Sequence, residues 1–398
     1  MNAMQQPLTA DAVPTEAELV ERARALIPML RARADEVESR RSVPPETIAE
    51  FKRAGFFKIL QARRWGGWEM NPAVFFKVLM ELGRGCSSSA WNMMILGVHQ
   101  WEFGSMDLRA GDEIWARDNS VLIASSYPPF GKLTRVDGGW TLEGTWRTSS
   151  GCDHAEWAFI GAAPRTESGE PTDRYALVVH RSDYTILDDW HTFGLAGTGS
   201  KSLVIKKAFV PDYRCHSLID YRLNDRGSMY LYPFNQIFWS AVSSVIVGFA
   251  QGAIDIYIEQ MKVRKDNLGN AASLSHYVKD RLGNAVARVR SSRMRILQIT
   301  SETSAYVTAG KLVPIEERVP VILDLARVGR ECEEAVMLLF KATSARGIFL
   351  SNPLQRILRD TIAAANHITQ NADDNAGLLG GYLLGEPLPP LSFTRDCA

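Results

Sequence analysis

Residues 148–156 read TSSGCDHAE. Serines, a cysteine, a histidine and two acids crowd this stretch, the residue types of a nucleophile with its base or of a metal site. A hydrolytic triad of Ser150, Asp153 and His154 fits poorly. Side chains this close in one strand-turn rarely point at one another, and no G-x-S-x-G elbow is present. Cys152 and His154 make two metal ligands with no others clustered nearby. The bland reading makes His154 and Glu156 structural, hydrogen-bonding a neighbouring loop.

Two other histidines draw notice, His99 in the mainly apolar LGVHQW and His367 in ANHITQ. Taken alone, His99 reads as a satisfied core histidine. The five cysteines, Cys86, Cys152, Cys215, Cys332 and Cys397, are scattered without C-x-x-C, so reduced thiols are expected rather than disulfides or zinc. No H-E-x-x-H, G-x-G-x-x-G or P-loop pattern occurs, which speaks against a zinc protease and against Rossmann and P-loop nucleotide sites. Forty-five basic residues balance 45 acidic ones, so bulk charge points to neither nucleic acid nor a membrane surface. No apolar run reads as the ~20-residue span a membrane needs. The N-terminal stretch lacks the basic flank and apolar core of a signal peptide, and a cytoplasmic protein is expected.

Stepping outward, the chain divides into three parts. Residues 1–120 read as helices, with apolar residues at helical spacing in TEAELVERARALIPMLRARADEVESRR and prolines opening PPETIAEFKRAGFFKIL. Residues 121–232 read as short β-branched and aromatic strands, with a hairpin signal in VDGGWTL, and predict an antiparallel β barrel or sandwich. Residues 233–398 carry four long amphipathic segments that predict a four-helix bundle. The fold class is therefore α+β: N-terminal helices, a central β domain and a C-terminal bundle. The segments 241–263 and 321–340 are apolar beyond the needs of one face, which suggests packing across subunits.

That order resembles the acyl-CoA dehydrogenase fold. GTWRTSSG is similar to the strand that lies beside the flavin ring in that family. GLAGTGSKSLVIKKAFVPDYR is similar to its Gly-Ser loop and following strand, and NPLQRILRD to its P-x-x-R-x-x-R-D helix. Most dehydrogenases of the family place a glutamate base shortly after that R-D pair. Here RDTIAAANHITQ offers no carboxylate before Asp373, and carbon-acid chemistry needs a base within reach of the proton. The chain more closely resembles a branch without that base, the oxygenase components of two-component flavin-dependent monooxygenases, and within it the p-hydroxyphenylacetate hydroxylases. The stretches that carry this are SSYPPFGK, SSGCDHAEW, RSDYTILDDW, GSKSL, VPDYR and RILRD with its following histidine.

The resemblance implies reduced FMN or FAD supplied in trans by an NAD(P)H:flavin reductase, and O2 as co-substrate. The flavin would pass through a C4a-hydroperoxide and oxygenate a phenolic, indolic or related aromatic substrate. It implies a homotetramer, and it assigns roles by position. His99 matches a histidine touching the reacting group of the substrate, Ser125 a serine beside the substrate, Ser150 a serine near flavin N5, and His367 an active-site histidine on the last long helix. Trp146 lies on the flavin strand. Thr198, Gly199, Ser200 and Ser202 of the Gly-Ser loop, with Arg264, would hold flavin phosphate or ribose. Trp101, Tyr127, Phe238 and Trp239 would wall the aromatic substrate. One departure stands out: the loop YLYPFNQIFWSAVSS lacks the arginine that the p-hydroxyphenylacetate enzymes carry there. The alternatives are an acyl-CoA dehydrogenase-type FAD enzyme and a flavin-binding member without catalysis.

Overall fold

Thr15 opens the first helix with a reciprocal cap: its hydroxyl accepts the Glu18 N–H, and the Glu18 carboxylate accepts the Thr15 N–H. The computed structural model describes residues 13–164, 173–218, 227–265 and 268–389. Cys397 lies outside the described residues. Helices α1 (Glu16–Arg40), α2 (Pro45–Ala54), α3 (Pro72–Gly83), α4 (Ser87–Glu102) and α5 (Leu108–Trp115) come first. Asn71 caps α3 and Pro72 occupies its first turn, where the missing N–H costs nothing.

Eight strands follow: β1 (Ile123–Ser126), β2 (Lys132–Val136), β3 (Gly139–Ser149), β4 (Trp157–Ala162), β5 (Tyr175–His180), β6 (Thr185–Leu187), β7 (Lys201–Pro211) and β8 (Cys215–Ser217). They form two four-stranded sheets, ordered β1-β4-β5-β8 and β2-β3-β7-β6. The hairpin signal is realised as the β2–β3 turn at Asp137 and Gly138, with Gly138 at φ 71°. Every pair of these strands but one is antiparallel, as expected. β1 pairs parallel with β4, because the chain leaves β1, builds β2 and β3 in the other sheet, and returns to β4 in the same direction. The two sheets are pinned together by Trp146 of β3, whose indole N–H donates to Gly161 O of β4 at 2.8 Å.

The remaining helices are α6 (Phe234–Val263), α7 (His276–Thr308), α8 (Ile315–Ala342), α9 (Pro353–Ala365) and α10 (Ala372–Leu383). α6 runs through the centre and packs on α3, α4, α7, α8 and α9. Gly83 and Gly248 let the backbones of α3 and α6 touch; a Cβ on Gly83 would lie 2.8 Å from the Gly248 Cα. By length and composition alone α6 would pass as a membrane span, yet 83% of its most apolar window is buried within the chain. Its all-round apolarity thus serves the chain's own core, which removes the reason for reading residues 241–263 as a subunit interface. The fourth bundle segment is also not continuous: it breaks at Asn366–Asn371, and His367 lies in that break rather than on a helix.

Candidate active site

One face of α4 carries the site. Asn92, Ile95 and His99 lie on it at helical spacing, and Glu102 follows one turn later. Every residue of α4 is buried except Ile95, which is half-buried. His99 is fully buried among Tyr127, Phe159 and Phe238, with ring centroids at 5.8, 5.5 and 5.6 Å. Its Nδ1 lies 3.0 Å from Glu102 Oε2 and 3.1 Å from the Tyr127 hydroxyl. Its Nε2 is buried and has no hydrogen-bond partner.

Glu102 is itself fully buried and joins three groups. Oε1 lies 2.8 Å from His216 Nε2, while Oε2 meets His99 and accepts the Tyr127 hydroxyl. Burial alone would push this carboxyl's pKa up. The His216 and His99 imidazoles outweigh that and hold it below the usual carboxylate value. Neither Glu102 nor His216 is evident from the sequence. Glu102 sits three residues after His99, a spacing that puts both on one helix face, and that was the available signal. His216 arrives from β8, placed by its pairing with β5.

The second half of the site is the turn after β3. The β3–β7 ladder shifts register between Trp146 and Ser149, and Thr148 and Gly151 adopt positive φ. This kink aims Ser150 inward. Its Oγ accepts the Trp91 indole N–H at 3.1 Å and lies 2.6 Å from Ser200 Oγ, which lies 2.6 Å from Thr198 Oγ1. Gly199, at φ 55°, turns the loop so that these hydroxyls line up. The loop is clamped to α9: buried Asp360 accepts the Leu195 N–H at 2.7 Å, and Arg359 donates to Phe193 O at 2.8 Å. The Arg-Asp pair of RILRD therefore fixes the Gly-Ser loop.

His367 packs edge-on against Trp91 at 5.5 Å. Its Nδ1 accepts the Thr369 N–H at 3.3 Å. Burial pushes the imidazole down to about 4, so the ring is neutral near pH 7. His99, Tyr127 and Phe238 pack against one another, while Trp91, Ser150, Thr198, Ser200 and His367 form one contiguous cluster. Ser125 lies on β1, buried, in register with Phe159 and two residues before Tyr127. Trp239 is half-buried, and its indole N–H is buried without a partner.

Other expected residues are engaged elsewhere. Trp101 is a core residue: fully buried, it stacks on Tyr230 and donates to Met229 O. Trp146 is equally buried, with its N–H on Gly161. Ser202 donates to Asp189 at 2.6 Å, because alternate β7 side chains point to opposite faces. Arg264 caps the C-terminal carbonyls of α8, Ala342 O and Thr343 O, at 3.3 Å each. Asp153 turns to Lys201 and Ser42, and burial pushes the Cys152 thiol up to about 12. Among the described residues, no group of three or more His, Cys, Asp or Glu side chains is placed to hold a metal ion.

The chain is similar to known proteins over most of its length. The acyl-CoA dehydrogenase N-terminal domain family matches residues 14–113, and the acyl-CoA dehydrogenase C-terminal domain family matches residues 240–372. The chain is 34% identical over 377 residues to the flavin-dependent monooxygenase oxygenase subunit HsaA of Mycobacterium tuberculosis (strain ATCC 25618 / H37Rv), covering 92% of this chain and 94% of that one. It is 29% identical to the p-hydroxyphenylacetate 3-hydroxylase oxygenase component of Acinetobacter baumannii, over 94% and 90% of the two chains. The crystal structure of the 3-HSA hydroxylase from Rhodococcus sp. RHA1 superposes with a TM-score of 0.90 at 31% identity, over 94% and 99% of the two chains.

Proposed function

The chain belongs to the acyl-CoA dehydrogenase family, as an oxygenase component of its flavin-dependent aromatic monooxygenases, and on that premise we propose that it hydroxylates a phenol held against His99. It works with reduced flavin from a separate reductase and with O2. The observation that carries the phenol is His99 Nε2, a buried imidazole nitrogen left unbonded while Nδ1 is tied to Glu102. A phenol O–H satisfies that nitrogen, and half-buried Tyr127 and Phe238 flank the space it enters.

The residues present suit a flavin. Asn92, whose amide nitrogen and oxygen are both buried without partners, and the unpartnered Trp239 N–H are polar atoms that a ring rich in nitrogen and carbonyl oxygen would satisfy. Ser150, Thr198, Ser200 and the Gly199 backbone would hold it at the kinked turn, where a serine hydroxyl can both donate and accept. Reduced flavin supplies the two electrons that activate O2. The protein's own part is to keep water out with Phe159 and Phe238, to orient the ring with Tyr127, and to receive the phenol proton on His99 Nε2. In this reading Ser125, on β1 ahead of Tyr127, would lie beside the substrate, and His367, packed on Trp91, would lie beside the flavin. Proton removal enriches the ring for oxygen transfer and contributes about 10²- to 10⁴-fold in systems of this kind.

Glu102 does not favour the dehydrogenase alternative. Both of its oxygens are engaged by His99, His216 and Tyr127. The acids after α9, Asp373 and Asp374, begin α10 and pair with Arg330 and Asn371.

We also propose a homotetramer in the cytoplasm. Supporting the assembly, Leu268, Leu274, Phe349 and Leu350 are apolar and exposed, Leu268 and Leu350 by 87% and 80%. Supporting the location, Cys86, Cys152, Cys215 and Cys332 are all free.

The test is turnover with reduced flavin, ¹⁸O₂ and a panel of phenol, indole and acyl-CoA, read by mass spectrometry. A catechol carrying one ¹⁸O is expected, with His99→Ala diverting the oxidising power to H2O2. Anaerobic reduction of bound FAD by the acyl-CoA would overturn the reading.

A further inference from the structure

His216 holds one nitrogen against each of two acceptors. Its Nε2 lies 2.8 Å from Glu102 Oε1 and its Nδ1 lies 3.1 Å from the Ser217 backbone carbonyl. A carbonyl oxygen only accepts, so Nδ1 carries a proton. If Glu102 is ionised, Nε2 carries one too and His216 is an imidazolium; if His216 is neutral, Glu102 holds the proton. Either way the pair keeps one proton between them and is neutral overall.

The other carboxylate oxygen faces His99 Nδ1 at 3.0 Å and the Tyr127 hydroxyl. With Tyr127 donating to Glu102, His99 donates from Nδ1 as well, and its lone pair is fixed on Nε2. His99 and Glu102 are fully buried, His216 is 8% exposed, and Tyr127 is half-buried. Among the described residues, the titratable groups packed on His99 are Glu102 of α4, Tyr127 after β1 and, through Glu102, His216 of β8. The faces from β4 and α6 are the rings of Phe159 and Phe238.

From this arrangement we propose that Glu102, backed by His216, is the positioning residue that makes His99 a base and selects substrates with an acidic hydroxyl, which bind as phenolates. The inference rests on the monooxygenase reading given above and names its substrate class. The step is a proton transfer: the phenol O–H bond breaks, an N–H bond forms at His99 Nε2, and the electron pair stays on oxygen. The new imidazolium lies between the phenolate and the Glu102 carboxylate. In a dry pocket such a charge forms only with a partner on each side. The His216 proton keeps Glu102 from being an isolated buried anion when no substrate is present. An aromatic without an exchangeable proton gains nothing from this device.

The probe is 4-nitrophenol, whose phenolate absorbs visible light, titrated with the full-length oxygenase across pH without flavin. Wild type is expected to bind it and lower its ionisation by at least one pH unit, a tenfold change in acidity. Glu102→Gln is expected to return that shift at least tenfold toward the free value. His216→Gln retains a hydrogen-bond donor without the charge; it is expected to move the same way by a smaller factor, and it serves if Glu102→Gln does not fold by circular dichroism. Equal ionisation in wild type and both variants overturns the inference, and so does a wild type that fails to bind the phenol or leaves it as in water. Two outcomes separate this inference from the reading beneath it. If wild type and variants ionise the bound phenol alike and ¹⁸O still enters it, the inference falls and the monooxygenase stands. If the shift appears and reverts in the variants but no ¹⁸O enters any aromatic, the inference stands and the monooxygenase reading falls.

Discussion

The Trp91 indole joins the two ends of the site: its N–H donates to Ser150 Oγ at 3.1 Å, and its ring meets His367 at 5.5 Å. α4, the turn after β3 and the break after α9 therefore share one side chain. A change at Ser150 is felt by all three.

Ser150→Ala should both destabilise the fold and uncouple turnover. The buried Trp91 N–H and Ser200 hydroxyl lose their shared partner, and an unsatisfied buried group costs about 1–3 kcal/mol. Reduced flavin should still consume O2, with a larger share ending as H2O2. Thermal melting and the ratio of product to H2O2 check both. Wild-type values for the two would remove Ser150 from the site.

The parts of this site that were legible in the sequence are the local ones. Ser150, Thr198 and Ser200 lie in short motifs whose geometry is set by neighbours within a few residues. His99, Tyr127 and Phe238 stood in the sequence only as what the family resemblance implies, and it is the fold that packs them against one another. Glu102 and His216 stayed hidden because they are 114 residues apart and meet through the β5–β8 pairing. The parallel β1–β4 pair was hidden for the same reason, since residue pattern along a strand does not say which strand lies beside it. α6 misled in another way: periodicity reports that a helix is buried, not whether its own chain or a second copy buries it.

Asp360 should make the protein less stable as pH rises through mildly acid values. Its carboxyl is pushed up to about 6, chiefly by burial, against an ordinary 3.8. Between those two values the native state holds a proton that the unfolded chain releases, so stability falls as pH climbs from about 4 to 6. The loss should be on the order of 3 kcal/mol. Asp360→Asn keeps an oxygen for the Leu195 N–H and removes the charge. Its melting temperature should therefore lack this component of the slope. A slope equal to wild type would place the titration elsewhere.

His367 should act with the opposite sign. Burial lowers its imidazole to about 4 from an ordinary 6.5. Here the unfolded chain binds the extra proton, so the stability contributed is present above pH 6.5 and is lost as pH falls toward 4. The ring of the ligand-free protein should therefore be neutral near pH 7. The ring-proton NMR signal of His367 should stay fixed from pH 8 to about 5.5. A titration centred near 6.5 would show a solvated ring and undo this assignment.

Asn92→Leu should raise stability and weaken ligand binding together. The two side chains have similar size. The amide of Asn92 is buried with neither its nitrogen nor its oxygen bonded, and its α4 face is the one that carries His99 two turns later. An unsatisfied buried amide costs about 1–3 kcal/mol, whereas an apolar side chain of the same shape costs nothing of this kind. The ligand-free protein should therefore melt a few degrees higher as the leucine variant. A bound flavin or substrate that hydrogen-bonds the amide recovers that cost in wild type alone. The rise in melting temperature on adding reduced flavin or a phenol under anaerobic conditions should then be smaller in the variant. The opposite pattern, a less stable variant with an undiminished ligand shift, would mean that Asn92 is a packing residue and that neither ligand meets α4 at this turn.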